Sequence, residues 1–136
     1  MTAQLWIPGP LPGMNEIVEA AKGAGGSGTR YAKLKAAWTD TVWALALQAR
    51  MPKFPGRVVL RFEWFEADKR RDPDNFAAAK KFLLDGLVKA GVLKGDDWRY
   101  IESFADYWRV WTSVPLCRGP GVQVTIEEPT PTVAMG

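Results

Sequence analysis

The chain has 136 residues, of which 47% are hydrophobic and 24% are charged, and this is the composition of one globular domain with its own hydrophobic core. It contains no histidine, so a histidine general base, a Ser/His/Asp triad and a histidine-ligated zinc site are excluded. Its single cysteine, Cys117, excludes an internal disulfide and a zinc site built on several cysteines. The formal net charge of +3 permits a polyanionic partner without requiring one.

The periodicity of apolar residues predicts six elements in the order strand, helix, strand, helix, strand, strand. Residues 3–8 form the first strand. After the three prolines that follow, Asn15 and the glycine-rich residues 22–28 are predicted to lie in loops, the second of them flexible. A long helix is predicted for residues 29–50, with Thr29 as its N-cap and one apolar stripe along its length.

The later elements are predicted to be a strand over 57–65, a helix over 76–90 closed by a left-handed Gly91, a strand over 99–111, a strand over 121–127 and a frayed tail over 129–136. Alternation places Ile101, Ala105 and Tyr107 on one face of the third strand and Thr125 on the outer face of the last. The expected fold is therefore α/β (α+β), a single domain over residues 1–136 in which both helices pack against a small mixed sheet.

No apolar run approaches the roughly 18 residues that a membrane span needs. Residues 1–13 also lack the basic-then-apolar order of a signal peptide. Together with the single cysteine, these features predict a cytoplasmic protein with no membrane partner.

Acidic residues stand at both ends of the second predicted helix. Asp72 and Asp74 are two residues apart at the end of a strand, so their side chains point the same way in extended backbone, and Pro73 favours that geometry. Helix capping by Asp74 accounts for one carboxylate. It leaves Asp72 and the later pair Asp96–Asp97 unexplained.

Lys81 and Asp85 share a helix face with Asp74, because they follow it at i+7 and i+11. The Lys81–Asp85 pair is either an ordinary i,i+4 surface pair or part of a site, and the spacing favours neither. Three basic residues near the start of the first helix, Arg30, Lys33 and Lys35, favour a solvated face over a DNA-facing patch.

A third carboxylate joins this group if the chain folds Asp96 or Asp97 back beside Asp72 and Asp74. Two carboxylates about 4 Å apart repel by about 4 kcal/mol at an effective dielectric constant near 20, so such a group needs a compensating cation. Mg²⁺ or Mn²⁺ fits, because both are hard ions held by a few carboxylates. The sequence therefore predicts a divalent-metal site that acts on nucleic-acid phosphates, with a nearby lysine stabilising the charge on the reacting phosphate.

The central block of the chain resembles the RusA-like Holliday junction resolvases, a family of phage-derived endodeoxyribonucleases. The resemblance rests on Arg-Arg-Asp-Pro-Asp-Asn at 70–75, Lys81, Asp-Gly-Leu-Val-Lys-Ala-Gly-Val at 85–92, the Asp96–Asp97 pair, and a proline-rich opening at 10–15 that ends in Asn15. It implies an α/β fold, an intertwined homodimer and the cytoplasm of a bacterial or phage-infected cell. It also implies Mg²⁺-dependent nicking of four-way DNA junctions, which leaves 5′-phosphates during recombination and repair.

Residue by residue, the resemblance makes Asp72, Asp74 and Asp97 the metal ligands, with Asp96 as the alternative to Asp97, and Lys81 the essential lysine. The residues predicted to contact DNA are Arg70 and Arg71, and beside them Lys69, Lys94 and Asn15. The segment Trp98-Arg99-Tyr100 stands where some members carry a glutamine, a departure from the family's pattern that bears on sequence preference and junction selectivity rather than on the chemistry. Two alternatives remain: a metal-dependent nuclease for flaps or other branched DNA, and a DNA-binding module without catalysis.

Overall fold

The computed structural model of the chain describes residues 1–22, 29–69, 78–117 and 119–129, except for the side chains of Met14, Asn15 and Thr29. In these residues a four-stranded mixed sheet packs with three helices, which confirms the predicted α/β class. The strands are β1 (Thr2–Pro8), β2 (Val58–Glu66), β3 (Ile101–Val110) and β4 (Gly121–Glu127); the helices are α1 (Met14–Lys22), α2 (Thr29–Gln48) and α3 (Lys80–Lys89), with a 3₁₀ turn at Trp111–Ser113. None of the helices within the described ranges is long and apolar enough to cross a membrane.

The strand order across the sheet is β1-β4-β2-β3. Strand β4 runs antiparallel to both β1 and β2, whereas β2 and β3 are parallel. Parallel neighbours need a crossover connection, and α3 lies on the connection between β2 and β3. This connection is also the part of the chain that carries every predicted metal ligand.

The core lies between one face of the sheet and the helices. It is formed by alternate residues of three strands, Leu5 and Ile7 of β1, Val58, Leu60, Phe62 and Trp64 of β2, and Val122, Val124 and Ile126 of β4. Helix α3 adds Phe82, Leu83, Leu84 and Leu87, and the predicted stripe of α2 packs against the same core. The two helices approach so closely at Gly86 that a Cβ atom there would lie 2.4 Å from Cβ of Val42.

Helix α1 occupies residues that the sequence predicted as loop, so that prediction was wrong. Asn15 is its second residue and Lys22 its last. The helix is held because Ile17 packs against the core and Ala20, one turn later, is buried. Residues 23–28, which complete the predicted flexible loop, lie outside the described residues.

In the described part of the chain, two predicted elements are shorter at their start than expected. Ala78 and Ala79 lie in a turn before α3, so the regular helix starts at Lys80, whereas residues 76 and 77, where the helix was predicted to begin, lie outside the described residues. Strand β3 starts at Ile101, because Arg99 and Tyr100 belong to a turn that hydrogen bonds to Asp97 hold together.

A bulge also changes which way the start of β3 faces. The pairing of β2 with β3 shifts register just after Val58, whose partner is Ile101. Ile101 is therefore buried, whereas Ala105 and Tyr107 lie on the open face of the sheet, so the prediction that all three share a face was wrong. Thr125 does face outward as predicted, but it is buried because β4 lies between two other strands.

Candidate functional site

Lys81, the second residue of α3, joins the acidic residues of the β2–β3 connection. Its Nζ forms an ion pair with Oδ1 of Asp85 at 2.9 Å, one turn along the helix, and a closer one with Oδ2 of Asp96. These contacts, Asp96 first and then Asp85, raise the pKa of Lys81 above its ordinary value. The two neighbouring carboxylates favour the protonated, positively charged form of this side chain. It can place a positive charge against an anion, and 54% of its side chain is exposed to receive one.

Asp85 connects Lys81 to a second lysine on another helix. Nζ of Lys35, on α2, lies 3.6 Å from Oδ2 of Asp85, and this oxygen is buried without a hydrogen bond from the described residues. The result is a row of alternating charges, Lys35, Asp85, Lys81 and Asp96. Lys35 therefore lies beside the acidic site, although the sequence favoured a solvated face for it. The spacing of the sequence predicted the Lys81–Asp85 pair, but the contact of Lys35 with Asp85 was not predicted.

Asp96 and Asp97, the two alternatives for a third metal ligand, have different surroundings. Oδ1 of Asp97 accepts hydrogen bonds from the backbone N of Arg99 at 2.9 Å and from its Nε at 3.0 Å, and Oδ2 accepts one from Nη2 at 2.8 Å. These bonds lower the pKa of Asp97 below its ordinary value, the side-chain bond to Arg99 contributing most. Asp97 thus builds a turn, whereas the neighbouring Asp96 points to Lys81.

Four of the predicted site residues, Arg70, Arg71, Asp72 and Asp74, lie outside the described residues. Within the described ranges, no group of three or more cysteine, aspartate or glutamate residues could hold a metal ion. Lys69 and Lys94 are both exposed. Asn15 lies in α1 and not in the predicted loop.

A contact that the sequence did not predict fixes the start of α3. Nζ of Lys80 donates to Oδ2 of Asp106, on β3, at 2.7 Å, while Nε1 of Trp64 donates to Oδ1 of the same carboxylate at 2.9 Å. The ammonium also lies over the rings of Phe104 and Phe62, 4.4 and 5.1 Å from their centroids. Because the partners are 26 and 42 residues apart, no local pattern could have revealed this arrangement.

Two adjacent lysines therefore take different roles. Lys80 ties the first turn of α3 to the sheet, and Lys81 reaches the acidic residues. Since Lys80 is the first residue of α3, the Lys80–Asp106 contact fixes against the sheet the start of the helix that carries Lys81.

A surface groove of about 770 Å³ lies on the open face of the sheet, opposite α3. Trp6, Phe65 and Leu116 are among its lining residues, and Glu63 supplies a carboxylate. The other polar side chains that line it, Gln4, Gln123 and Cys117, carry no charge, so among the described residues the groove offers no chemistry comparable to the row of charges at Lys81. The acidic site on the connection between β2 and β3 is therefore the stronger functional candidate.

No protein-family model matches the chain, and no curated protein matches it significantly. The resemblance to the RusA-like resolvases therefore stays a prediction.

Proposed function

We propose that the chain is a Mg²⁺-dependent endonuclease that nicks branched DNA, with four-way junctions as its main substrate and 5′-phosphate ends as its products. The observation that carries the proposal is the Lys81 ammonium, held between Asp96 and Asp85 at the start of the helix that follows Asp72 and Asp74. Carboxylates beside a protonated lysine are the groups that phosphodiester hydrolysis needs in a chain without histidine.

The donor set suits a hard divalent cation. It consists of aspartate oxygens alone, and the side chain of Asp96 is 33% exposed, so a cation can reach it. We assign the third ligand to Asp96, with Asp72 and Asp74, because both carboxylate oxygens of Asp97 already accept hydrogen bonds from Arg99. When bound there, Mg²⁺ would neutralise charge on the scissile phosphate and supply a water molecule of lowered pKa.

The chain's own residues position the substrate. Lys81 stays protonated and donates to a phosphate oxygen, while Asp85 holds its side chain over the site. Arg70, Arg71, Lys69 and Lys94 are proposed to contact the DNA backbone, which makes binding dependent on salt and independent of base sequence.

A homodimer completes the proposal. Resolution of a four-way junction needs two nicks, and a two-fold dimer would present two matching sites to a substrate that is itself two-fold. The single cysteine is consistent with a reducing cytoplasm as the working compartment.

The test is nicking of a panel of labelled DNA molecules in Mg²⁺, comparing the wild type with Asp74→Asn. The panel contains a four-way junction, a flap, a fork and a linear duplex. The wild type is expected to nick the junction fastest, and Asp74→Asn to lose nicking while it still binds the junction.

Each alternative has its own outcome in this panel. Equal nicking of flaps and junctions replaces the resolvase assignment by a broader nuclease for branched DNA. Junction binding without nicking by the wild type identifies a DNA-binding module. Nicking by Asp74→Asn at the wild-type rate removes the metal-site assignment.

A further inference from the structure

Trp98 is exposed to an unusual degree beside the candidate site. Its relative exposure is 85%, compared with 36% for Trp43 and 42% for Trp108, whereas Trp64 is 1% exposed in the core. An indole ring that remains in water contributes little to folding and keeps its apolar faces available for a ligand.

The turn that carries Trp98 is well held. Besides the side-chain bonds from Arg99, the backbone carbonyl oxygen of Asp97 accepts hydrogen bonds from the N–H groups of Tyr100 and Ile101, each at 3.0 Å. On the other side, Tyr100 lies so close to Gly95 that a Cβ atom there would be 2.7 Å from its ring. The outward position of Trp98 therefore belongs to an ordered turn, which is the preorganisation that a binding residue requires.

The location of this turn relates Trp98 to the site. Asp96, which contacts Lys81, is only two residues away, and two residues span at most about 7 Å of chain. A nucleotide whose phosphate lies against Lys81 could therefore have its own base, or the adjacent one, within reach of the indole ring.

We propose that Trp98 stacks on an unpaired or unstacked base next to the phosphate bound at Lys81, and so favours branched DNA over duplex. The inference rests on the proposed function. Stacking on an aromatic side chain needs a free base face, which a continuous duplex does not offer and a branch point does. A ring that stacks on any base also selects DNA by its structure rather than by its sequence.

The test compares Trp98→Phe, Trp98→Leu and Trp98→Ala with the wild type in binding to a four-way junction and to a linear duplex, in EDTA so that no Mg²⁺ is present. Leu and Ala are expected to weaken junction binding about tenfold, because one stacking contact is lost, whereas Phe stays within about threefold. Duplex binding and the unfolding temperature stay unchanged, since the ring is exposed. Trp43→Leu, on α2, is the matched control and binds like the wild type.

A second measurement detects stacking itself. A junction with 2-aminopurine at the branch point is expected to change its emission with the wild type and with Trp98→Phe, and to show no change with Trp98→Leu. A merely structural role for Trp98 would not produce this pattern.

Three results overturn the inference. The first is that all variants bind the junction like the wild type. The second is that the loss of binding extends equally to the duplex. The third is that Trp98→Ala dissociates a dimer that the wild type forms, which would identify the ring as a contact between copies. If the wild type nicks junctions and these variants bind normally, only this inference fails. If the wild type neither binds nor nicks branched DNA, the proposed function fails with it.

Discussion

The Lys80–Asp106 contact is expected to stabilise the fold measurably. The two side chains are 19% and 20% exposed, so Asp106→Ala leaves the Lys80 ammonium largely buried without its carboxylate and removes an acceptor from Trp64. Removing one partner of a fully buried ion pair costs about 3–5 kcal/mol. With a fifth of each side chain in water, we expect a loss of about 2–3 kcal/mol, which for a chain of this size lowers the unfolding temperature by about 10 °C.

Urea unfolding of the wild type, Asp106→Ala, Lys80→Ala and the double variant measures this loss and the coupling between the two residues. The double variant is expected to lose less than the sum of the single losses, by about 1 kcal/mol or more. Lys89→Ala is the matched control on the same helix, because Lys89 forms an ion pair with Asp40 in which the two side chains are 46% and 56% exposed. Its expected loss in the free energy of unfolding is below about 1 kcal/mol. If Asp106→Ala costs no more than Lys89→Ala, or if the coupling is zero, the contact does not hold α3 as described.

Two further predictions concern α2, which packs against α3. Gly86→Ala places a methyl group against Val42 and is expected to lower the free energy of unfolding in urea by about 1–3 kcal/mol. Gly56→Ala is the control and is expected to be nearly neutral, because the added Cβ atom meets nothing within 4 Å. Equal effects of the two substitutions would contradict the close approach of the helices. In nicking assays, Lys35→Ala is expected to slow the reaction by less than about tenfold, because Lys35 acts only through Asp85. Lys81→Ala is expected to slow the reaction about a hundredfold or more, because Lys81 is proposed to contact the phosphate. If Lys35→Ala is the slower variant, the phosphate contact belongs to Lys35.

Local patterns predicted much of the fold. Strand β4 spans the predicted residues, because its alternation is regular, and Gly91 has the left-handed φ of 77° expected at the end of a helix. The Lys81–Asp85 pair follows from helical spacing alone. Helix α1 was missed because the proline-rich stretch before it was taken as evidence for loop, although a proline stops a helix only from within.

Other features depend on contacts between distant residues. The bulge that turns Ile101 toward the core arises from pairing with β2, and Asp106 reads as an ordinary strand residue until Lys80 and Trp64 meet it. Asp96 and Asp97 are equivalent in sequence. They differ in the folded chain because Arg99 forms an ion pair with Asp97, whereas Lys81 forms one with Asp96.

The measurement that tests the central claim most directly is single-turnover nicking of a four-way junction in Mg²⁺ by the wild type, Asp96→Asn and Asp97→Asn. The wild type is expected to nick the junction. Asp96→Asn is expected to nick it about a hundredfold more slowly or worse, because a metal ligand is lost. The rate of Asp97→Asn is expected to stay within about tenfold of the wild-type rate, because this substitution only loosens a turn. A wild type that does not nick, or an active Asp96→Asn beside an inactive Asp97→Asn, would contradict the account.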